Sequence, residues 1–328
     1  KMIKNNLNRI LFLINSILLL LLLVSYIVPK VNPEFFWHIS LLGIIFPLLL
    51  ISNTLFAVYW IISWKKYFWA NVVIITLGLS HIDKIVANQK NQIDFKELSE
   101  LQNNKTHKFD QLINIMTYNV RLFNQNENLN DDKIENKILD MVKEEKPDIL
   151  CFQEFNLTEK TKEIFNLFNY KRNNDNKLQI LTNYKVIKSG YIQSKNICIY
   201  KDIVLNDTIR IYNIHLQSNW VKTMKYSYQK RVNEAIKIKK HINKSPYPVI
   251  ICGDFNDTPI SYTYSQIKEG LLDSFEESGI GIGNSYVSIP TLRIDYILHS
   301  KEYKSYNYKK NKYKLSDHYP ISCDILIP

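Results

Sequence analysis

Cysteine is scarce and carries no motif spacing. The four thiols, Cys151, Cys198, Cys252 and Cys323, include no CxxC pair, which argues against a zinc site or a redox dithiol. Each lies in an apolar, strand-like run, so they read as small core residues, with a disulfide between neighbouring strands as the alternative. Glycine is also sparse, eight residues in 328, and none of it forms a Gly-rich phosphate loop. No internal repeat stands out. Acidic residues are outnumbered 31 to 42 by Lys and Arg, leaving a formal net charge of +11. That balance would favour an anionic partner: nucleic acid, anionic lipid headgroups or a phosphorylated small molecule. An AT-rich genome, marked by abundant Lys, Asn, Ile and Tyr, accounts for the same charge without any partner.

The length suits one large catalytic domain with a smaller appendage. Apolar residues are unevenly placed. Residues 10–28 form a run interrupted only by Asn15, Ser16 and Ser25, just after Lys1, Lys4 and Arg9, as in a transmembrane helix. A cleaved signal peptide is the competitor, but no small-residue cleavage pattern follows, and a second apolar stretch occupies residues 35–62. Pro47 is expected to kink that second helix. A third stretch, residues 68–79, is short and contains Asn71, so it either crosses or lies in the interface. The basic clusters Lys1, Lys4, Arg9 and Lys65, Lys66 fit the cytoplasmic side, against Lys30 with Glu34 in the opposite loop. A third crossing then exports everything after about Val86, with Lys84 and Lys90 counting against it. The expectation is a multi-pass anchor of two to three helices in a bacterial inner membrane over residues 1–87, a polar linker over 88–110, and an extracytoplasmic catalytic domain over 111–328.

In that last region, residues 112–120 alternate as a half-buried strand, residues 131–145 have helical spacing, and residues 148–152 form a buried strand after Pro147. Further strands are expected at residues 178–182, 197–203, 208–216, 249–252, 293–299, near 303–308 and at 320–327. A long basic helix is expected over 223–243, ending before Pro246. Many strands with helices between them point to a layered α/β fold on two β-sheets.

Residues able to bind metal or move protons recur at the ends of these strands: Asn119, Glu154, Asn213 with His215, Asp254 with Asn256, Asp295, and Asp317 with His318. A lone Asp or Asn after a strand is ordinarily a turn residue or helix cap. The recurrence is what carries weight. Strand ends aim side chains into one cleft, and phosphoester hydrolysis needs three things there: oxygen ligands for a cation, a base for water, and donors for the phosphoryl oxygens. Glu154 and Asp317 are hard ligands of the kind Mg²⁺ or Mn²⁺ prefers. His318, with an unperturbed pKa of roughly 6.5, suits proton transfer near neutrality, and Asp295 could orient its ring. Ser316, Asp317 and His318 do not make a serine-hydrolase triad, because three consecutive residues cannot form the spatial relay.

The ordered segments TYNVR (residues 117–121), PDILCFQE (147–154), YNIHLQS (212–218), VIICGDFND (249–257), RIDYIL (293–298) and SDHYPI (316–321) resemble the endonuclease/exonuclease/phosphatase, or DNase I-like, superfamily over about two-thirds of the chain. The resemblance implies a four-layer α/β/β/α sandwich and single-metal-assisted attack of water on phosphorus. It implies Glu154 as principal metal ligand with Asp317 at the metal site, and Asn119 placing metal and phosphate. His215 would donate to a phosphoryl oxygen, Asp254 would orient the water, and Asn256 would stabilise the transition state. His318, paired with Asp295, would be the general base. Asn213 and Arg172 are candidate substrate-binding residues, and Asp175 is a candidate for a further acidic group. The short chain between Phe155 and Asn213 implies abbreviated recognition loops.

Three functions compete: a phosphodiesterase or phosphatase acting at the membrane on a lipid headgroup, motivated by the anchor and by HLQS at residues 215–218, which resembles the sphingomyelinase version of that motif; an anchored nuclease acting on nucleic acid through the basic helix; and an inactive scaffold, which the filled catalytic positions disfavour.

Overall fold

Two long apolar helices open the chain, and their few polar side chains meet one another. The computed structural model describes residues 2–89, 91, 111–123, 132–169, 177–218, 223–289 and 291–328. Helix α1 (Met2–Ser25) is followed by the short α2 (Pro33–Phe36), capped by the Asn32 side chain, and by α3 (Ser40–Ile62). Helices α1 and α3 are about 35 Å long at 1.5 Å per residue, enough for a hydrocarbon layer of ~30 Å, and their composition is suitably apolar. Helix α3 runs through Pro47 unbroken. The third apolar segment forms only a ten-residue helix, α4 (Phe68–Leu77), followed by α5 (Leu79–Ile82).

Asn15, Asn53 and Asn71 are all buried between these helices. Asn15 Nδ2 donates to Asn53 Oδ1 (3.3 Å) and Asn71 Oδ1 (2.9 Å), while Trp60 Nε1 and Asn71 Nδ2 donate to Asn15 Oδ1 (2.7 and 3.0 Å). An unpaired amide in an apolar bundle is costly, so this network fixes the mutual register of the helices. Tyr59 Oη donates to Asn8 Oδ1 at one end of the bundle, and Tyr26 Oη to the Ile74 carbonyl at the other. Helices α1 and α4 therefore rise together and α3 descends. After α5, strand β1 (Val86–Asn88) pairs antiparallel with residues 280–282. The expected linker over 88–110 otherwise lies almost wholly outside the described residues.

From residue 111 the elements are β2 (Gln111–Asn119), α6 (Asp132–Glu145), β3 (Ile149–Gln153), α7 (Lys162–Asn166), β4 (Gln179–Thr182), β5 (Lys185–Ile192), β6 (Cys198–Val204), β7 (Thr208–His215), α8 (Met224–Ile242), β8 (Val249–Asp254), α9 (Tyr262–Lys268), β9 (Leu271–Asp273), α10 (Ser274–Ser278), β10 (Ile280–Ile282), β11 (Asp295–Ser300), β12 (Lys304–Lys310) and β13 (Ile321–Ile327). One sheet has the order β5-β6-β7-β8-β11-β9 and the other β12-β13-β2-β3-β4. Each holds one parallel pair, β2 with β3 and β7 with β8, and each pair is joined through a helix, α6 or α8. A parallel pair needs such a crossover.

Period-2 alternation divides each strand between two cores. Ile113 and Ile115 of β2, Ile149 and Cys151 of β3, Ile209 and Ile211 of β7, and Ile250 and Cys252 of β8 meet in one cluster between the sheets. Their alternates face outward. Met116, Tyr118, Leu150 and Phe152 pack on α6 and α7, and Tyr212, Ile214, Ile251 and Leu298 on α8 and α9. The result is the expected α/β/β/α sandwich. All four cysteines are buried and free, so the disulfide alternative is not realised.

Candidate active site

The inward-facing rows change character as they run toward the carboxyl ends of the parallel strands. Ile113 and Ile115 lead to Thr117 and Asn119; Ile149 and Cys151 to Gln153; Ile209 and Ile211 to Asn213 and His215; Ile250 and Cys252 to Asp254. Strand β11, antiparallel to β8, begins at this same end with Asp295 opposite Asp254, and His215 lies opposite Asp254 on the other side. Alternation thus delivers Asn119, Gln153, His215, Asp254 and Asp295 to one end of the inter-sheet space, with Thr117 and Asn213 one step deeper, and this end is the usual place for a ligand in sheets with parallel strands.

Glu154 breaks the alternation, because Gln153 holds the inward position before it. The chain turns at Glu154 with φ +48°, and this left-handed residue brings its carboxylate back to the cleft. Asn119 Nδ2 donates to Glu154 Oε1 (3.3 Å) and to Asp254 Oδ2 (3.0 Å). His215 Nε2 lies 3.5 Å from Glu154 Oε1 and 3.8 Å from Asp254 Oδ2. Asn256 also has a positive φ, +51°; its backbone N–H donates to Asp254 Oδ1 (2.8 Å) and its side-chain amide to the Leu216 carbonyl (2.9 Å).

His318 precedes β13. Its Nδ1 lies 2.8 Å from Asp295 Oδ2, which leaves Nε2 facing Asp254 Oδ2 (3.7 Å) and Asp317 Oδ1 (3.9 Å). Burial disfavours a charged imidazole, but Asp295 and Asp254 outweigh it and hold the His318 pKa up to about 10. Burial raises the Asp295 carboxyl as well, so the two groups titrate as a pair. Asp317 Oδ2 faces Arg121 Nε at 3.5 Å, and the Asp317 and Glu154 carboxylates are partly open to solvent.

Asp254, Asp295 and His318 have ligand atoms within 4.8 Å of one another. Asp295 and His318 already bond to each other, so this trio is a hydrogen-bonded Asp–His pair beside a carboxylate. The open oxygens of Glu154 and Asp317, with Asn119 alongside, are the better fit to a hard cation. Four carboxylates gathered around one guanidinium and two imidazoles have the charge excess that a divalent ion would offset.

Eight of the ten expected site residues lie in or beside this cleft: Asn119, Glu154, His215, Asp254, Asn256, Asp295, Asp317 and His318. Asn213 does not reach it. It is fully buried between the sheets, its Nδ2 donating to the Phe152 and Gln179 carbonyls (2.7 and 2.8 Å) and its Oδ1 accepting from Gln153 Nε2 (2.6 Å). These bonds tie the two sheets together. Arg172 and Asp175 lie outside the described residues.

Sequence reasoning passed over three supporting residues. Gln153 bonds Asn213 and also Thr117 Oγ1 (2.9 Å). Ser285 Oγ accepts from the backbone N–H of Asp295 (3.0 Å). Arg231, on the long basic helix α8, is wholly buried. Its guanidinium donates to the carbonyls of Asn256 and Gln217 and pairs with Asp257 at 3.1 Å, bracing the loop that carries Asn256. The one sequence signal for it is its place on the apolar stripe of α8 with Tyr228, Ala235 and Ile238.

Residues 8–85 match a domain of unknown function. No curated protein matches the chain. Among solved structures, an endonuclease/exonuclease/phosphatase from Bacteroides vulgatus is 16% identical with TM-score 0.57, covering 66% of this chain and 100% of that one. A Bacteroides thetaiotaomicron protein of the same description is 18% identical with TM-score 0.52, covering 67% and 99%. The human Nocturnin catalytic domain is 16% identical with TM-score 0.54, covering 66% and 95%. These likenesses establish the fold, and residues 116–318 match the Endonuclease/Exonuclease/phosphatase family itself, to which this chain belongs.

Proposed function

We propose that this protein is a membrane-anchored, divalent-metal-dependent hydrolase of phosphate esters, with His318 as general base. Family membership supports phosphoester hydrolysis in general. The observation that carries the finer assignment is the Asp295–His318 pair, with Nδ1 engaged at 2.8 Å and Nε2 left facing the carboxylates of the cleft.

Asp295 fixes the tautomer and orientation of His318 and stabilises its charged form. His318 Nε2 accepts a proton from water as the water oxygen bonds to phosphorus; the ester P–O bond breaks, and the departing oxygen takes up a proton to leave as an alcohol. Asp254, fixed by the Asn119 amide and the Asn256 N–H, orients that water. His215 Nε2 is set to donate to a phosphoryl oxygen. Glu154 and Asp317, with Asn119, would hold Mg²⁺ or Mn²⁺. When bound, such an ion polarises the phosphoryl oxygens and offsets the carboxylates that hold the His318 pKa high. Loss of turnover in EDTA and in His318→Ala, with folding intact, is the expected test result; activity indifferent to both would refute the assignment.

The α1–α3–α4 bundle supports a retained anchor over a cleaved signal sequence, because its asparagines bond across all three helices and its far end packs on the catalytic domain. Arg9, Lys65 and Lys66 lie at the end of the bundle remote from that domain, which supports an extracytoplasmic catalytic domain. Exposed Lys225, Lys237 and Lys240 on α8 keep the nuclease alternative in view, and comparing DNA with lipid as substrate tests it.

A further inference from the structure

We infer that the substrate is a phosphoester carried on a lipid headgroup in the leaflet where α1 ends and α3 begins, because the site-bearing end of the sandwich is docked against the anchor there. This rests on the anchored phosphoesterase proposed above and adds the substrate class.

The anchor does not merely tether the domain. Thr258, two residues past Asn256, donates through Oγ1 to the carbonyl of Gly43 (3.3 Å), in the first turn of α3. Ile260 is buried in one cluster with Leu22, Phe46, Leu49 and Ile85 of the anchor. A Cβ built on Gly43 would lie 3.2 Å from the Ile260 carbonyl, so the helix and the loop after GDFND are in direct contact. Arg293, two residues before Asp295, donates through Nη2 to the Lys84 carbonyl (2.8 Å). On the flank, Asn233 of α8 donates to Glu34 Oε1 (2.9 Å), and the Trp37 and Tyr228 rings stack at 6.5 Å. Ser265 Oγ donates to the Pro29 carbonyl (2.8 Å). The loop after β8, the approach to β11 and the first half of α8 all belong to the end of the sandwich where Asp254, Asp295 and His215 lie.

A second observation places the bilayer surface at this junction. Phe35 and Phe36 on α2 are 87% and 53% exposed, beside the Glu34 that bonds α8. Exposed phenylalanines on such a short segment suit burial at the headgroup/acyl boundary. Each leaflet's polar layer is only about 5–8 Å thick, and the first turn of α3 touches the catalytic loop. The loop that carries Asn256 is therefore held against the part of the anchor that enters the headgroup layer. Tyr226 on the first turn of α8, 61% exposed, and the neighbouring exposed Lys225 give that rim an aromatic and a cation suited to phosphate-bearing headgroups.

The test uses the full chain reconstituted with Mg²⁺ into vesicles of phosphatidylcholine, phosphatidylglycerol and sphingomyelin. The soluble diester bis(p-nitrophenyl) phosphate and single-stranded DNA, in detergent, are the comparison substrates. The expected result is headgroup release from vesicles that carry the enzyme and little from enzyme-free vesicles mixed with them. The triple variant Glu34→Ala, Trp37→Ala, Ser265→Ala should cut lipid release about tenfold by loosening the docking, with the soluble-diester rate unchanged. Turnover of the soluble diester or DNA with all three lipids untouched would overturn the lipid assignment alone, as would a triple variant that slows both substrates equally. A folded enzyme that turns over nothing would overturn the phosphoesterase itself, and a chain that fails to enter vesicles would overturn the anchor.

Discussion

Gly253 has no room for a side chain. It adopts φ +135°, and a Cβ there would lie 2.0 Å from the Ile214 carbonyl of the paired strand. Gly253→Ala should therefore open the β7–β8 pairing that sets His215 opposite Asp254 and cost more than about 3 kcal/mol. Chemical denaturation of the detergent-solubilised chain reads this directly, and a variant of wild-type stability would refute it. Asn213 makes a contrasting prediction. Asn213→Ala removes an amide that satisfies the Phe152 and Gln179 carbonyls and Gln153 Nε2, all of them buried. Unpaired groups of this kind cost about 1–3 kcal/mol each, so the unfolding midpoint should fall sharply, while KM for a soluble diester should stay constant in the protein that remains folded. A raised KM at unchanged stability would return Asn213 to substrate binding.

At the scale of elements, α10 is pinned to the sheets by one carboxylate. Glu277 Oε2 lies 2.9 Å from His299 Nε2 and accepts from Ser305 N–H (3.1 Å) and Oγ (2.8 Å). Burial alone would raise its pKa, but these partners hold it below the usual carboxylate value of 4.5. A depressed folded-state pKa contributes stability above the unfolded value, and that contribution is lost as pH falls through the folded value. The stability gap between wild type and Glu277→Gln should thus be full near pH 7 and close as the pH drops below about 4.5; a gap independent of pH would contradict it. Much at this scale was legible in the chain. The alternation in residues 112–120, the strand pattern of 208–216 and the apolar run of 249–252 announced these strands, and the polar residues at their ends, Asn119, His215 and Asp254, announced the site. Strand β5 was not legible, because KVIKSGYI is largely exposed and lacks alternation. Strands β1, β9 and β10 are three residues each, too short for a period. The inward turn of Glu154 depends on a positive φ that no side-chain pattern announces. The burial of Arg231 depends on carbonyls 14 and 25 residues away.

For the whole molecule, the question of spans became one of packing. The short α4 reads ambiguously by itself, yet Asn71 bonds Asn15 across 56 residues of sequence, a pairing invisible in an apolar run. With α1 and α4 rising together, the remote end carries Arg9, Lys65 and Lys66, and an alkaline-phosphatase fusion at Asn88 should be active. An inactive fusion there would reverse the orientation. The lipid assignment and the placement of the cleft both depend on the chemistry of that cleft. The most direct measurement is hydrolysis of bis(p-nitrophenyl) phosphate by the full chain in detergent, with Mg²⁺ and with EDTA, for wild type, His318→Ala and Glu154→Ala. The expected result is turnover that EDTA abolishes and added Mg²⁺ restores, with His318→Ala slower by about 10²–10⁴-fold at unchanged fold and Glu154→Ala requiring far more Mg²⁺. Turnover that persists in EDTA, or that His318→Ala leaves intact, would contradict it.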